Sequence, residues 1–357
     1  MDYLIRHSDK IYHFFFKKNE GLCVRTKKHS LWQNCKPVFS DTTEIFSVFC
    51  DSSDNLHAIC VSPENNLIYL HFKDNTWHKC TLTHINHEMR ISDIIFFENP
   101  IGLNILYTAQ YLGETLLIHC VLGNNAMPNT VDKLSSPYFF VFNNNIYYTD
   151  SHSVLGYRSV SDGRPDRFNR LTDNAEMPYL AACFGKSMLV YKKDGSLYFQ
   201  NRPIHKDIYA SRPILLEDDD KLFLEWQSGD FVRYMSSSDG GAHWSGVMQF
   251  VNPGKKPQLY AALTNAEHEF YYGSHSDSDL HIYIKSNLFA HEKKERFFVP
   301  PKIPDSAEVT KLNIMLELQK QEIVSLKKEI SRLGEYINSM NTDAHNEDED
   351  NEDKVDT

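Results

Sequence analysis

The sequence predicts an all-β protein, a β-propeller of about seven four-stranded blades over residues 1–299, followed by a C-terminal α-helical coiled coil. The composition favours strands, because 22 Phe and 19 Tyr stand among 357 residues and aromatic side chains suit a pleated, half-buried surface. A strand-and-turn pattern recurs at about 45-residue spacing, and an unbroken heptad pattern lies near the end of the chain. These observations predict a repeat architecture with a helical extension.

The first part of the chain contains an ungapped repeat. The segment "SDKIYHFFFKKNEGLCVRTKKHSLWQNC" aligns at a 45-residue offset with "SDNLHAICVSPENNLIYLHFKDNTWHKC". The matched positions are Ser8 with Ser53, Asp9 with Asp54, Ile11 with Leu56, Leu22 with Leu67, Trp32 with Trp77 and Cys35 with Cys80. Each unit contains short alternating strands separated by polar turns, which is typical of consecutive β-hairpins.

The same order of strands and turns predicts one opening strand for each of seven units. We place these strands at Asp2–His7, Phe46–Cys50, Asp93–Phe97, Tyr138–Phe142, Tyr179–Phe184, Ile214–Glu217 and Leu259–Leu263. Four-stranded units of about 43 residues are typical of propeller blades, which pack radially around a channel. A pair of β-sandwiches is the alternative, but it does not predict a regular repeat; six or eight blades are alternatives to seven.

One hairpin in the sixth unit carries a motif whose residue types also occur in catalytic loops and metal sites. The stretch "SSSDGGAHWS" places Ser237, Asp239, Gly241 and Trp244 in the pattern S-x-D-x-G-x-x-W. Asp239 is expected to bond backbone N–H groups of its own turn, and Trp244 to pack between sheets. The pattern resembles the Asp-box of sialidase-like β-propellers, although His243 stands where Thr usually precedes the Trp. The resemblance implies a structural hairpin between the third and fourth strands of a blade, away from the active face.

The resemblance to sialidases would also imply three arginines that grip a carboxylate, a Tyr nucleophile assisted by Glu, and an Asp acid. The first unit lacks the expected Arg-x-Pro segment, and "NRPIH" and "SRPIL" occur late with Pro directly after Arg. We therefore predict no catalytic residue. Paired carboxylates of a glycosidase cannot be recognised from sequence alone, so enzymatic activity stays open and its absence is the favoured interpretation.

A basic cluster is the one candidate ligand site that the sequence suggests. Arg164, Arg167 and Arg170 lie around Phe168 in "SDGRPDRFNR", and guanidinium groups can bind a phosphate or carboxylate. A charged loop balanced by its neighbouring Asp residues is the alternative. The seventeen histidines show no zinc-site spacing, and no phosphate-binding or dinucleotide motif occurs. We predict no metal and no cofactor.

The C-terminal region predicts self-association. Prolines stiffen a linker over residues 300–305, and a helix is predicted over 306–340. Its heptads predict a coiled-coil core of Val309, Leu312, Leu316, Ile323, Leu326, Ile330, Leu333, Ile337 and Met340. β-branched residues at most a positions with Leu at most d positions favour a parallel dimer. A trimer, and a helix folded back on its own propeller, are the alternatives.

Charge and cysteine content limit the partners and the location. Eight acids and one lysine in the last fifteen residues leave the rest of the chain at −4 of the net −11, and residues 341–357 are predicted to be a disordered acidic tail. A mildly acidic body excludes the basic surface of a nucleic-acid binder. No apolar stretch is long enough for a membrane helix. The seven cysteines lack C-x-x-C spacing, which favours a reduced, cytoplasmic protein.

Two functions remain from the sequence. The favoured one is a non-enzymatic binding or scaffolding protein, whose propeller head presents a face to a protein or glycan ligand and is made multivalent by the coiled coil. The alternative is a carbohydrate-binding lectin or a sialidase-like glycoside hydrolase. A channel mouth that gathers arginines and opposed carboxylates would favour the hydrolase, and a mouth lined by aromatic and neutral groups would favour binding.

Overall fold

The computed structural model describes residues 1–284, except 8–9, 29–30, 85–87, 124–127, 161–163, 219, 251–257, 265–266 and 277–279, together with Lys327. Every regular element in the described part of residues 1–284 is a β-strand, so the all-β prediction is confirmed. The chain divides into two compact units, Met1–His291 and Glu292–Thr357. Among the described residues, none forms part of a helix long and apolar enough to cross a membrane.

The strands follow one another as antiparallel meanders, which we number in chain order. The first meander contains β1 (Asp2–His7), β2 (Lys10–Lys17), β3 (Gly21–Lys28), β4 (Leu31–Trp32) and β5 (Lys36–Phe39), and both β4 and β5 pair with β3. The second contains β6 (Phe46–Cys50), β7 (Leu56–Val61), β8 (Asn66–Lys73) and β9 (Thr76–His84). The third contains β10 (Arg90–Asn99), β11 (Gly102–Tyr111), β12 (Glu114–Val121) and the first half of β13 (Asn129–Phe142).

The long strand β13 also opens the fourth meander, which continues with β14 (Asn145–Asp150), β15 (Val154–Ser159) and β16 (Asn169–Asp173). The fifth contains β17 (Ala175–Cys183), β18 (Lys186–Lys193), β19 (Ser196–Phe199) and β20 (Arg202–Lys206). The sixth contains β21 (Ala210–Asp218), β22 (Lys221–Ser228), β23 (Phe231–Ser237) and β24 (Met248–Gln249). The seventh contains β25 (Gln258–Thr264), β26 (Glu267–His275) and β27 (Leu280–Ile282).

The first strand of each meander lies beside the first strands of its neighbours. Strand β6 contacts β1 and β10, β13 contacts β10 and β17, and β17 contacts β21. Strand β25 pairs in parallel with β1, from Asp2 opposite Tyr260 to Ile5 opposite Leu263. The row of sheets therefore closes on itself, with the seventh meander beside the first. Radially repeated antiparallel sheets around a channel are the connectivity of a β-propeller.

Turns and inter-sheet packing explain why these residues form this fold. Turn residues such as Asn19, Asp54 and Asn65 adopt positive φ angles, which Asn and Asp tolerate better than most residues. The apolar side chains pack between neighbouring sheets: Phe49 of the second meander lies in one buried cluster with Phe96 of the third. Burial on both faces accounts for strands such as β6, whose five residues are all buried.

The structure corrects several predicted boundaries. The opening strands of the first two units agree with the prediction, whereas the third begins at Arg90, the fifth at Ala175 and the sixth at Ala210. The strand that follows the Ser237–Trp244 hairpin covers only Met248–Gln249, because only these two residues pair with β23. The predicted linker, the coiled-coil core and the acidic tail lie outside the described residues; Lys327, within the predicted helix, is helical and exposed.

Candidate functional site at the starts of the first strands

Four consecutive first strands are irregular near the point where each begins. Their pairing with the next strand shifts register between Ile91 and Asp93 in β10, Leu134 and Phe139 in β13, Glu176 and Tyr179 in β17, and Ser211 and Ile214 in β21. Strands β1 and β6 pair regularly instead. A bulge turns side chains away from the plain alternation of a strand, so these four strand ends can present side chains to a common space.

Proline accounts for three of the four irregularities. Pro137, Pro178 and Pro213 each lie within the shifted segment, and proline cannot donate the N–H that a regular ladder needs. Just before the last two, Met177 and Arg212 adopt left-handed φ angles of 55° and 48°. This conformation is costly for non-glycine residues and is often found at functional sites.

The irregular ends surround a pocket that opens to solvent. Its walls are largely apolar and aromatic, and within the described lining Asp93 is the one carboxylate and Arg212 the one guanidinium. The remaining lining residues are Met1, Ile94, Ile95, Tyr138, Phe139, Phe140, Met177, Pro178, Tyr179, Pro213, Ile214, Leu259 and Phe270. An apolar concavity with a few polar groups is the usual form of a small-ligand site.

Three charged groups lie at the pocket: the Asp93 carboxylate, the Arg212 guanidinium and the amino terminus of Met1, whose positive charge also acts on Asp93. Burial raises the pKa of the Asp93 carboxyl, while the positive charge of Arg212 opposes that shift. One oxygen of Asp93 accepts a hydrogen bond from the Ile94 amide at 2.9 Å. The Arg212 side chain is exposed, and its guanidinium lies 5.8 Å from the centre of the Tyr138 ring. The site thus presents one carboxylate and two positive groups, the Arg212 guanidinium and the Met1 amino terminus, among apolar walls.

Arg212 is held in place through its backbone. The buried Tyr272 hydroxyl donates a hydrogen bond to the Arg212 carbonyl at 2.9 Å, and the Arg212 amide donates to the sulfur of Met177 at 3.4 Å. Tyr272 belongs to the seventh meander, whereas Arg212 opens the sixth. This contact between sheets fixes the backbone from which the guanidinium extends, while the side chain stays accessible.

The predicted Asp-box residues form a closed hydrogen-bonded hairpin, separate from the pocket. Asp239 accepts hydrogen bonds from the Ser237 hydroxyl at 2.8 Å and from the His243 amide at 2.9 Å. The Gly241 amide donates to the Ser237 hydroxyl oxygen at 2.8 Å. These bonds hold the pKa of the Asp239 carboxyl below its usual range, with the His243 amide as the main cause. The polar groups of Ser237 and Asp239 therefore make these hydrogen bonds within their own turn.

His243 stands where the Asp-box pattern usually has Thr, and Trp244 joins the hairpin to the neighbouring sheet. The Nδ1 atom of His243 lies 2.6 Å from the second oxygen of Asp239, so the histidine supplies a side-chain contact where the pattern usually has Thr. The half-buried Trp244 ring contacts Phe199 of the fifth meander edge to face, with 5.4 Å between ring centres. The hairpin thereby fastens the sixth sheet to the fifth.

The predicted basic cluster is exposed and is not part of the pocket. Arg164, Arg167 and Arg170 are all exposed, and Arg170 pairs with Asp173 at 2.7 Å. Phe168 lies instead against the guanidinium of Arg158, at 5.8 Å from the ring centre. Arg158 in turn donates hydrogen bonds to the Tyr148 hydroxyl in the fourth meander and to Asp132, which lies in the half of β13 that pairs with the third meander. Anion binding by the three predicted arginines stays a prediction.

One polar cluster has the composition of a metal site. Atoms of Asp2, His13 and His275 lie within 4.8 Å of one another. However, the Arg25 Nε–H donates to His13 Nδ1 at 3.0 Å, so His13 carries its proton on Nε2 and donates it to Asp2 at 2.9 Å. A metal on Nε2 would have to displace that proton beside a guanidinium charge, which disfavours a cation. We interpret the cluster as a hydrogen-bonded link between the first and seventh meanders.

Sequence reasoning missed the pocket residues, although a signal was present. Asp93, Tyr138 and Arg212 come from three different meanders, and nothing in the local sequence relates them. The recurring residue–proline pair at the start of a unit, in "SSPY", "EMPY" and "SRPI", marks three of the strand ends that form the pocket. Proline at the entry of a strand signals an interrupted ladder, and its repetition could have located the site.

Comparison with protein-family models and with curated proteins finds no match for this sequence. Among solved structures, a six-bladed β-propeller lectin of Aleuria aurantia with a fucose recognition mode is similar at 9% identity and a TM-score of 0.40, covering 77% of this chain and 87% of that chain. AofleA from Arthrobotrys oligospora is similar at 9% identity and 0.41, covering 80% and 83%. BBS1N, in complex with ARL6DN, is similar at 10% identity and 0.47, covering 77% and 87%. Because these TM-scores are below 0.5, we infer no function from these similarities.

Proposed function

We propose that this protein is a non-enzymatic binding protein that holds a small ligand, or one residue of a larger one, in the pocket at the starts of the first strands. The observation that carries the proposal is the lining of the pocket. Aromatic and aliphatic walls surround one carboxylate and one guanidinium, a composition suited to recognition. Fixed backbone at Met177 and Arg212 gives the site a preorganised rim.

The same lining disfavours hydrolysis of glycosides. Most glycoside hydrolases use two carboxyl groups on opposite sides of the scissile bond, and the described lining contains Asp93 as its one acid. The arginine triad implied by a sialidase would need two more guanidinium groups beside Arg212. Binding without turnover therefore accounts for the site better than catalysis does.

A carbohydrate ligand is the second candidate, and Tyr138 is the observation that favours it. Its half-buried ring lies beside Arg212 at the pocket wall. An aromatic ring can pack against the C–H face of a sugar, while a guanidinium and a carboxylate bond its hydroxyl groups. This assignment would make the protein a lectin rather than a scaffold.

The architecture of the proposed head is a seven-bladed propeller. The seven meanders among the described residues, joined through β25 and β1, support this blade count. The closed Ser237–Trp244 hairpin, which bridges two sheets, supports the remote relationship to Asp-box propellers. All seven cysteines are described and free of disulfides, five of them buried, which supports a cytoplasmic location.

Self-association through a parallel coiled coil completes the proposal. Residues 306–340 carry apolar side chains at a and d positions, and two heads on one stem would raise the avidity for a repeated ligand. Light scattering of the full chain should give the mass of a dimer. The full-length variant Leu326→Glu, which places a charge in the seam, should give the mass of a monomer; a monomeric unmodified chain would reject the proposal.

The binding function is tested by a ligand screen with a matched pair of variants. Small metabolites and monosaccharides are screened by thermal shift, and hits are measured by titration calorimetry. Leu259→Trp places a large ring in the pocket, whereas Leu112→Trp adds the same ring at a position that is 76% exposed and outside the lining. Binding abolished by the first variant and kept by the second supports the proposal. Binding that survives Leu259→Trp, or no hit at all, overturns it.

A further inference from the structure

A buried carboxylate lies beside the strand end that forms the rim of the pocket. Glu225 of β22 is completely buried, and neither of its oxygens accepts a hydrogen bond within the described residues. It stands opposite Ile214 of β21, which lines the pocket. An ionised carboxylate is very unfavourable in such a place, so the folded protein keeps a proton on this group. Burial accordingly raises the pKa of Glu225 to about 8.

The groups that face this carboxylate do not compensate a negative charge. They are three tyrosines, one each from β17, β23 and β26: Tyr179, Tyr234 and Tyr272. Tyrosine hydroxyls are uncharged near neutral pH. The charges of Arg212 and Glu269 act on Tyr272 and Tyr179 respectively, but neither is among the causes of the Glu225 shift. The Tyr272 amide alone lowers the pKa of Glu225, and burial outweighs it.

The rim of the pocket at Arg212 depends on the same Tyr272. The ladder between β21 and β22 shifts register between Ser211 and Ile214, so Arg212 and Pro213 have no ladder partner in β22. The Tyr272 hydroxyl donates a hydrogen bond to the Arg212 carbonyl at 2.9 Å, and the Ser211 carbonyl lies 3.4 Å from the same hydroxyl. A side chain of the seventh meander therefore holds a segment that its own sheet does not.

Tyr272 connects the buried proton to the rim. Its amide lies near the Glu225 carboxylate, and its hydroxyl holds the Arg212 backbone. An ionised Glu225 requires water or new hydrogen-bond donors, and neither reaches it while Tyr272 keeps its place. We propose that ionisation of Glu225 moves Tyr272 away from β22, breaks its hydrogen bond to Arg212 and so releases the rim of the pocket.

Proton linkage gives the direction of the effect. With the rim fixed, Glu225 keeps its proton up to about pH 8, whereas in water it ionises near its ordinary pKa of 4.5. Between pH 5 and 8 the released form therefore binds fewer protons than the fixed form. Its population should rise by up to about tenfold per pH unit in this range and level off above pH 8. Under the proposed binding function, a ligand at Arg212 would be released as the pH rises.

The test is hydrogen exchange of the full chain, followed by mass spectrometry between pH 5.5 and 7.5. The exchange rate of residues 210–216 is divided by that of an unstructured peptide of the same sequence, which removes the intrinsic effect of pH. This corrected rate should rise by up to about tenfold per pH unit and should exceed that of β7, whose residues are all buried. A corrected rate that does not change with pH would overturn the proposal. Equal corrected rates at the rim and in β7 would mean that only global unfolding is observed, which would also overturn it.

Three variants locate the effect. Glu225→Gln carries no titrating proton, so its corrected rate at the rim should not change with pH. Tyr272→Phe keeps the ring but removes the hydroxyl, so its rim should be released already at pH 5.5 and should lack the pH response. Glu114→Gln, at an exposed ion pair with Lys133, is the control and should respond like the unmodified chain. A pH response that persists in Glu225→Gln or in Tyr272→Phe would overturn the proposal.

These measurements use no ligand, so their result is independent of the ligand screen. A rim that does not respond to pH rejects this inference and leaves the proposed binding function standing. Ligand binding that resists Leu259→Trp rejects the proposed function and leaves this inference standing.

Discussion

Replacement of Glu225 by Gln should change how the stability of this protein depends on pH. Glu225 in β22 is completely buried, and neither of its carboxylate oxygens has a hydrogen-bond partner among the residues that the structure describes. Burial raises its pKa from 4.5 to about 8, and the nearby Tyr272 amide opposes the shift without reaching hydrogen-bond geometry. The folded state therefore keeps a proton that the unfolded chain releases in this range.

The sign and size of the effect follow from proton linkage. Between pH 4.5 and 8 the folded state binds more protons than the unfolded state, so stability is lost as the pH rises. At about 1.4 kcal/mol per pKa unit, the penalty is below about 1 kcal/mol at pH 5 and about 3 kcal/mol at pH 7. Gln carries no such proton, so the variant should lack this part of the slope.

The measurement is the free energy of unfolding from chemical denaturation at several pH values between 5 and 8. The unmodified chain should lose about 3–4 kcal/mol across this range relative to Glu225→Gln. Other titrating groups are shared by both proteins and cancel in the difference. Glu114→Gln, at an exposed ion pair with Lys133, should run parallel to the unmodified chain. Parallel curves for Glu225→Gln as well would refute the reasoning.

Three further predictions concern the sheet contacts. Trp244→Ala removes a half-buried ring that contacts Phe199 and should lower the unfolding free energy by about 2–3 kcal/mol; an unchanged melting curve would show that the contact contributes nothing. Gly241→Ala should destabilise the fold more than Gly240→Ala, because both have positive φ but only a Cβ at Gly241 would lie 2.3 Å from the Phe199 ring; equal losses in thermal melts would contradict the clash. His13 is buried with its pKa lowered to about 4, so the folded state excludes a proton that the unfolded chain binds and stability should fall as the pH drops from 6.5. His13→Gln should remove part of that acid-side slope, since burial also lowers the pKa of His119, to about 4, and of His57; an unchanged slope would refute the role of His13.

The strands could be predicted from the sequence because each is bounded by turn residues and carries apolar side chains at regular spacing. The opening strand Phe46–Cys50 is reproduced at both ends, since polar residues 41–44 precede and residues 51–55 follow the apolar stretch that contains it. The third opening strand extends to Arg90 because Ile91 pairs across a register shift that no local pattern reveals. Strand β24 is short for a similar reason, since the Ser237–Trp244 hairpin replaces ladder pairing with side-chain bonds around Asp239.

The pocket could not be predicted because it depends on which strand ends meet. Tyr138 and Arg212 become neighbours only when β13, β17 and β21 lie side by side. The Arg212–Pro213 pair was visible in the sequence, but the sialidase pattern directs attention to the first unit. The hydroxyl of Tyr272 fixes Arg212 from a different meander, and no pattern in the sequence around either residue predicts this contact.

The distribution of irregular backbone argues that the pocket is a selected feature and not a by-product of closing a ring of sheets. If closure alone required bulges, they would occur in all the first strands, yet β1 and β6 pair without a shift. The shifts fall in β10, β13, β17 and β21, the strands that supply Asp93, Tyr138, Met177 and Arg212. Left-handed backbone before proline is unfavourable, and it persists only where its surroundings enforce it. Departures from local rules that coincide with the one guanidinium and the one carboxylate of the described lining are what a binding site, rather than a structural core, requires.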